Sequence, residues 1–399
     1  MIRAGRFCWL IKLDVEAAYK QVPVRPEDWP LLGFWWEGKY YYERVLPFGL
    51  KSSCRLWELY AAALHFFFER ELGVPVVIHY IDDFLFVVQL KSEAERCKRA
   101  ALRLCAGLGI PMAEDKTEGP VQCLTFLGII LDTIRLEARL PPEKLADLQQ
   151  LTEVWRSKST ASVKELQSLA GMLNFACAVV RPGRFYLRRI INHTSRIAAL
   201  AKRRSDQFPL TAAVRADVAW WAEFIERWNG KSLLYELDWV ESVTLELFTD
   251  ACLSGLGAMH GSEWFEARWT GAQRASAQRR SRVSMPFLEL FALVQAAAVW
   301  GPSWSRKKIT FRCDCAPVVS CITKCSSKNP GMMHLLRHLS TLACTFGFDF
   351  RCIHIAGVTN VAADLLSRDG ASPQFRAGFP HAALRPTPLV PVPVPPAQE

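Results

Sequence analysis

The sequence predicts a mixed α+β unit, then a helical segment, then a separate α/β unit, and three observations carry that reading. Residues 7–13 and 76–88 are short, apolar, β-branched and aromatic runs, separated by helical stretches, which is the mark of a half-buried sheet with helices on it. From residue 141 to about 239 the pattern is helical throughout. From residue 243 strands and helices alternate again, which makes that stretch its own α/β unit. The expected organisation is 1–140, 141–242, 243–369 and a Pro-rich tail over 370–399.

The elements follow in order. Residues 7–13 form a buried strand that delivers Asp14 at its C-terminal end. Residues 33–45 are aromatic-rich around Glu37-Gly38, a hairpin signal, and Pro47 to Leu50 is a loop. A helix over 56–72 stops at Gly73. Residues 76–88 are two arms around Asp82-Asp83, a second hairpin. Ser92 and Glu95 have capping-box spacing for a helix reaching Gly107 to Gly109, and residues 125–131 read as one strand. Ser162 and Glu165 form a second capping-box candidate. In the last unit the expected strands are 244–249, 309–313 and 350–355, with Gly255 and Gly257 marking a turn. The helices are 286–300, with Pro286 near its first position, and 360–367. The end of the tail, 386–396, reads as a polyproline-type linker.

Half of the 399 residues are hydrophobic and 22% are charged, so sizeable cores are expected and disorder is not. A net charge of +10 favours a polyanionic partner. Between Arg181 and Ser205 there are eight Lys or Arg and no acid, mixed with Phe185 and Tyr186. That run reads as a surface tracking phosphates, with Arg181, Arg184, Arg188, Arg189, Arg203 and Arg204 as contacts. The 13 cysteines are scattered, and the chain opens on Arg3 and Arg6 without a signal-peptide pattern. The expectation is reduced thiols in an intracellular setting, cytoplasmic or nuclear. No apolar run is expected to span a bilayer, since the longest candidate, 74–88, is broken by Asp82 and Asp83. Cys321, Cys325, His334 and His338 have C-x3-C and H-x3-H spacing, but the spacer between the pairs is short and the segment is helix-rich. They are read as core cysteines and helix-surface histidines and not as a zinc site.

Two sets of acids carry the chemistry. Asp14 ends a strand and Asp82-Asp83 occupy a hairpin turn. Carboxylates at such positions need solvent, a partner or a cation, and hard oxygen ligands suit Mg²⁺. Asp250 ends a strand, Glu289 sits on a helix, Asp314 ends another strand and Asp364 lies on a late helix. Acids from strand ends and helices can converge on a two-metal site that activates water or a hydroxyl for attack on a phosphodiester.

At these residues a family resemblance becomes visible. Tyr80-Ile81-Asp82-Asp83 between apolar arms resembles the Y-x-D-D hairpin of reverse transcriptases. Leu13-Asp14 through Tyr19 to Val22 resembles their first catalytic motif, Leu46-Pro47-Phe48-Gly49 through Ser53 their template and nucleotide loop, and Phe126-Leu127-Gly128 the strand beside the primer terminus. The resemblance implies that Asp14 and Asp82 are the principal metal ligands, with Asp83 in support. It implies that Tyr19 excludes a 2′-hydroxyl, that Phe48 and Gly49 lie at the nucleotide, and that Lys116 lies near the leaving pyrophosphate. In the second set, Thr249-Asp250-Ala251, Phe287-Leu288-Glu289, Asp314 and Ala363-Asp364 through Arg368 resemble ribonuclease H, with His354 as the mobile proton shuttle.

The implied architecture is a reverse transcriptase palm, a helical thumb or connection, and a ribonuclease H-like domain. The implied activity is RNA-directed DNA polymerisation with ribonuclease H cleavage of RNA–DNA hybrids, in a retrotransposon. Mg²⁺ is the expected cofactor, with Mn²⁺ as substitute. The expected partners are RNA–DNA hybrid, primer-template and dNTPs, and no membrane. The wording of residues 124–133 resembles DIRS-type retrotransposons most. One departure is marked: the family has a basic fingers region before the first motif, and only 13 residues precede Asp14. Fingers are therefore expected to be largely missing, with hybrid cleavage outlasting primer extension. The alternatives are a truncated or domesticated copy acting only as a ribonuclease H, and a catalytically silent nucleic-acid-binding protein.

Overall fold

The computed structural model describes residues 1, 4–228, 231–232, 239–241, 245, 247–279 and 282–394, and the chain divides into two compact units, Met1–Pro141 and Pro142–Glu399. It is mixed helix and sheet throughout. The expected boundary at 242–243 lies outside the described residues.

In the first unit the strands Val77–Tyr80, Asp83–Val88, Trp9–Asp14 and Glu118–Val121 lie in that order as an antiparallel sheet. Trp9–Asp14 is the second strand from one edge and is buried on both faces. Ile11 and Leu13 pack with Phe84, Phe86 and the helix residues Trp57, Ala61 and Leu64, while Leu10 packs with Leu85, Val87, Leu124 and Phe126. This two-sided burial is why its sequence is a near-continuous apolar run. The helix Lys91–Gly107 turns Ala94, Cys97, Ala101 and Cys105 to the sheet. Small residues at one-turn spacing let it lie close to the strands.

Several local expectations change here. The helix expected over 56–72 runs Ser53–Phe66 and widens into a π-turn over Phe67–Glu71 before Gly73. Ser92 caps nothing, because the helix already starts at Lys91 and its N-cap is Leu90, which has no side-chain acceptor. Residues 125–131 are two strands, Cys123–Phe126 and Ile129–Asp132, because Leu127 and Gly128 both turn to positive φ. The aromatic hairpin is present as Gly33–Trp36 paired with Lys39–Tyr42.

The second unit begins with four helices, Pro142–Ser157, Val163–Ala176, Gly183–Ala198 and Ala212–Arg227. Ser162 and Glu165 make the full capping box. Burying the apolar faces of these helices leaves a carboxylate inside: Asp217 is fully buried, held by Arg189 and by Arg337 of the helix Pro330–Phe346. Tyr186 stacks on Trp220 with ring centroids 3.7 Å apart, and Arg337 lies over its other face.

The α/β part has an antiparallel meander, Leu247–Ala251, Gly255–His260 and Glu263–Arg268, and a parallel set, Trp239–Glu241, Lys308–Cys313 and Asp349–His354. Leu247–Ala251 lies beside Lys308–Cys313. The strand Gly255–His260 shows how the layers are built. Leu256 and Ala258 pack with the helix Met285–Trp300, while Met259 packs with Ala362 and Leu366 of the helix Val361–Asp369. Gly257 therefore lies within a strand and marks no turn, while Gly255 opens that strand and closes the connection from Leu247–Ala251, its O accepting from Cys252 N at 2.9 Å. A Cβ on Gly257 would meet Leu366 Cβ at 2.4 Å and Ser367 N at 2.5 Å, so glycine is what lets that helix approach.

Two further expectations are corrected. The helix Met285–Trp300 with its following turn, to Trp304, is long and apolar enough to cross a bilayer by length and composition, which the sequence reading had denied to every run. Here it is the central core helix, covered on nearly every side. The Pro-rich tail is also no free linker over its described length. Phe375 of the short helix Pro373–Gly378 is fully buried, and residues 382–394 run along the α/β layers. Trp264 donates to Ala383 O, Gln295 donates to Val390 O, and Val392 is buried in the core.

Candidate functional site

The first unit brings three acids to one sheet edge. Asp14 and Asp83 are cross-strand partners in the antiparallel register, and Asp82 sits in the two-residue turn beside them. Ile81, at φ +57°, makes that turn tight. Trp57, buried on the helix Ser53–Phe66, donates its indole N–H to Ile81 O at 2.9 Å and so fixes the turn against the helix. The Asp82 carbonyl accepts from Val15 N, 3.1 Å, which ties the turn to the end of the first strand.

Two lysines face these carboxylates. Lys116 Nζ is 3.2 Å from Asp14 Oδ1, and the carboxylate holds the lysine pKa above its ordinary value. Lys12 Nζ is 3.5 Å from Asp83 Oδ1, an ion pair without hydrogen-bond geometry, and that oxygen is buried with no hydrogen-bond donor. Burial raises the Asp83 pKa against the opposing pull of Lys12, and Asp14 and Asp82 add to the rise. A buried carboxylate oxygen without a donor, beside two further acids, suits a divalent cation.

Tyr19, in the short helix Ala18–Gln21, is held near the acids. Its pKa is raised, first by a hydrogen bond with Cys54 and then by burial and the charge of Asp82. Its ring lies 5.3 Å from that of Phe48, and Phe48 is 82% exposed, open to an incoming group. Gly49 follows at φ +90°, a conformation that favours glycine. A cavity of about 530 Å³ is lined by Lys12, Asp83, Lys116, Thr125 and Gly128. The residues singled out in the first unit thus converge.

In the second unit the second acidic set also converges. Asp250 and Glu289 are buried, and Asp314 and Asp364 half-buried. Burial lifts the Asp250 pKa to about 6, with Asp364 and Asp314 adding to it. Burial lifts Glu289 to about 9, with Asp250 and Asp314 adding, although the Ala251 N–H opposes this. Ligand atoms of Glu289, Cys313 and Asp314 lie within 4.8 Å of one another. Such a cluster of acids is costly alone and natural around a divalent cation. His354 is exposed, and its Nε2 lies 3.0 Å from Asp314 O.

The surrounding residues orient the acids. Ser367 donates to Asp250 Oδ2 at 2.6 Å, Arg368 donates to Asp364 Oδ1 at 2.6 Å, and buried Asn360 donates to Thr249 O at 2.7 Å. Lys12 and Trp57 were missed by sequence reasoning, and Asn360 and Ser367 were placed in the late helical segment without a role of their own. Lys12 carried a signal, being the one charge inside an apolar strand before Asp14. Nothing local marks Trp57, whose partner is 24 positions away.

The six arginines divide. Arg189 pairs with Asp217, and Arg181 with Asp349, so each of these two already has a carboxylate partner. Arg184, Arg188, Arg203 and Arg204 are exposed, with no ion-pair partner among the described residues. Cys321 lies on the helix Ala316–Thr323 and His334 and His338 on Pro330–Phe346, and with Cys325 they form no metal-ligand cluster.

Comparison with known proteins bears on the first unit most directly. The chain is 25% identical over 210 residues to the Gag-Pro-Pol polyprotein of Human T-cell leukemia virus 2, covering 46% of this chain and 14% of that protein. It is 28% identical over 171 residues to the enzymatic polyprotein of Cestrum yellow leaf curling virus, 42% of this chain and 25% of that protein. It is 21% identical over 375 residues to polyprotein P3 of Commelina yellow mottle virus, 92% of this chain and 18% of that protein. The chain therefore spans a quarter or less of the length of these relatives. Among solved structures, a foamy viral protease-reverse transcriptase in complex with RNA/DNA hybrid is similar at 14% identity and a TM-score of 0.48, over 86% of this chain and 44% of that one. Residues 2–131, which carry the first acidic site, match the model of the reverse transcriptase (RNA-dependent DNA polymerase) family.

Proposed function

We propose that the chain is the polymerase and nuclease core of a retroelement: an RNA-directed DNA polymerase over residues 1–140, a helical thumb or connection over 141–242, and a ribonuclease H over 243–369. The observation that carries the reading is the placement of Asp14 and Asp83 opposite each other with Asp82 in the adjoining turn, inside the segment that matches the reverse transcriptase family. The second carboxylate set, around Asp250 and Glu289, supports the nuclease. The DIRS-type affiliation rests on sequence wording alone.

Asp14, Asp82 and Asp83 would hold Mg²⁺ or Mn²⁺ in the first site, and Asp250, Glu289, Asp314 and Asp364 in the second. A bound cation would supply Lewis acidity toward the phosphoryl oxygens and would lower the pKa of the attacking hydroxyl or water. The chain's own residues do the positioning. Tyr19 with Phe48 and Gly49 forms the floor of the nucleotide site and closes the space under C2′ of the sugar. Lys116 offers a cation near the leaving pyrophosphate. In the second site Ser367 and Arg368 fix Asp250 and Asp364, and exposed His354 can move a proton to or from the product oxygen. Arg188, Arg203 and Arg204 present charge to the phosphates of a primer-template or hybrid, a contact independent of sequence.

A labelled RNA annealed to DNA, incubated with the protein and Mg²⁺, tests the nuclease, and extension of oligo(dT) on poly(rA) tests the polymerase. Cleavage with extension supports the full reading. Cleavage alone reduces it to a hybrid-specific ribonuclease, and binding with neither leaves a nucleic-acid-binding protein.

A further inference from the structure

Away from both acidic sites, the second unit contains a cavity of about 570 Å³. It lies where residues 177–185 of the helical part meet the α/β part at 305–306 and 347–350. Its size is that of a small-ligand site. Its apolar wall includes Phe185, Phe350 and the indole of Trp228. Its charge is one-sided. Arg181, Arg184 and Arg306 line it against one acid, Asp349, which pairs with Arg181. Arg184 and Arg306 are exposed and have no ion-pair partner among the described residues.

The backbone adds an independent observation. Arg306 has φ +68° and Cys325 has φ +49°, left-handed values that side chains with a Cβ rarely adopt, and both residues line the cavity. Arg306 is held there by its N–H, which donates to Gly347 O at 2.8 Å. Strain of this kind gathers at ligand sites, where it aims a side chain the relaxed backbone would not. Here it sets a guanidinium beside an aromatic wall.

We propose that this cavity binds a mononucleotide, with its phosphate on Arg184 and Arg306 and its base against the wall of Phe350 and Trp228. Two guanidiniums left over after one ion pair fit a phosphate dianion through charge-assisted hydrogen bonds. Ring faces beside them suit a flat aromatic body of any base. A volume of this size takes one nucleotide and not a length of strand. Because the walls come from both parts of the unit, an occupant would brace the joint that Asp217 already holds through Arg189 and Arg337.

The test uses the full chain in EDTA, so that neither acidic site can take a nucleotide through a metal. Fluorescence anisotropy with N-methylanthraniloyl-AMP should give saturable binding, which AMP displaces, inorganic phosphate displaces weakly and adenosine does not. Arg184→Gln and Arg306→Gln should each weaken binding by roughly tenfold or more, the usual loss for one charge-assisted contact. Circular dichroism and melting show whether each variant is folded, and Arg→Lys replacements keep the charge if a Gln variant is not. Three results would overturn the proposal: no binding at millimolar probe, displacement by adenosine as good as by AMP, or undiminished affinity in both folded variants. Displacement by an RNA–DNA hybrid but not by AMP would also overturn it, by making the cavity part of a nucleic-acid track.

Discussion

Glu289→Gln should stabilise the metal-free protein while removing hybrid cleavage. Glu289 is 8% exposed, and burial beside Asp250 and Asp314 places its pKa at about 9 against an ordinary 4.5. A carboxyl raised in this way is ionised in the unfolded chain and protonated in the folded one between those two values. Its folding penalty is absent below pH 4.5, grows as pH rises and levels off above about 9. At pH 7 the difference of 2.5 units corresponds to about 3 kcal/mol. Glutamine keeps the shape and can accept the Ala251 N–H, but it has no charge to bury. In EDTA at pH 7 the variant should melt roughly 6–12 °C higher than the parent, at 2–4 °C per kcal/mol for a unit of this size. The gain should vanish near pH 4.5. Mg²⁺ should shrink it, because a cation at the site stabilises the ionised parent and not the variant. Melting curves of the full chain at pH 4.5, 7 and 8, with EDTA or Mg²⁺, measure all of this. A variant that melts lower than the parent in EDTA at pH 7, or a gain independent of pH, would refute the reasoning.

Three further outcomes are expected. Tyr19→Ala should raise the ratio of ribonucleotide to deoxyribonucleotide incorporation by about tenfold or more, read by competitive primer extension. An unchanged ratio makes Tyr19 a packing residue. Replacing Arg188, Arg203 and Arg204 together with Gln should weaken hybrid binding irrespective of sequence and reduce the salt slope by about 2–3, nearly one per lost phosphate contact. An unchanged slope returns these residues to an ordinary solvated face. Asp217→Ala should destabilise the second unit by about 3–5 kcal/mol, because it leaves Arg189 and Arg337 without their buried carboxylate. Denaturant unfolding checks this, and a loss below about 1 kcal/mol would mean that the network is dispensable.

Much of both sites was legible because acids at the ends of apolar runs are a local signal. Asp14, Asp82 and Asp83 follow or interrupt strands whose burial on both faces writes itself as continuous hydrophobicity. The failures are non-local. Arg189 looks like a phosphate contact in a run without acids, and only the fold brings it to Asp217, 28 positions on. Gly257 reads as a turn residue because glycine punctuates chains, yet the cause is a helix more than 100 positions later that needs the space. The tail reads as a linker by its prolines, although Phe375 and Val392 interleaved among them are enough to dock it. Leu127 and Gly128 hide a turn inside an apolar stretch, because a left-handed leucine leaves no compositional mark. The cavity around Arg306 was invisible for the same reason: its walls come from five separated stretches of chain.

The central claim is that the two acidic sets are separate catalytic sites with different reactions. Purified protein carrying Asp82→Asn or Asp314→Asn, assayed in parallel in Mg²⁺ for primer extension and for cleavage of labelled RNA in a hybrid, tests it most directly. Asp82→Asn should lower extension by roughly a thousandfold and leave cleavage intact, and Asp314→Asn should do the reverse, with hybrid binding unchanged in both. Loss of both activities in either folded variant, or cleavage that survives Asp314→Asn, would contradict the account.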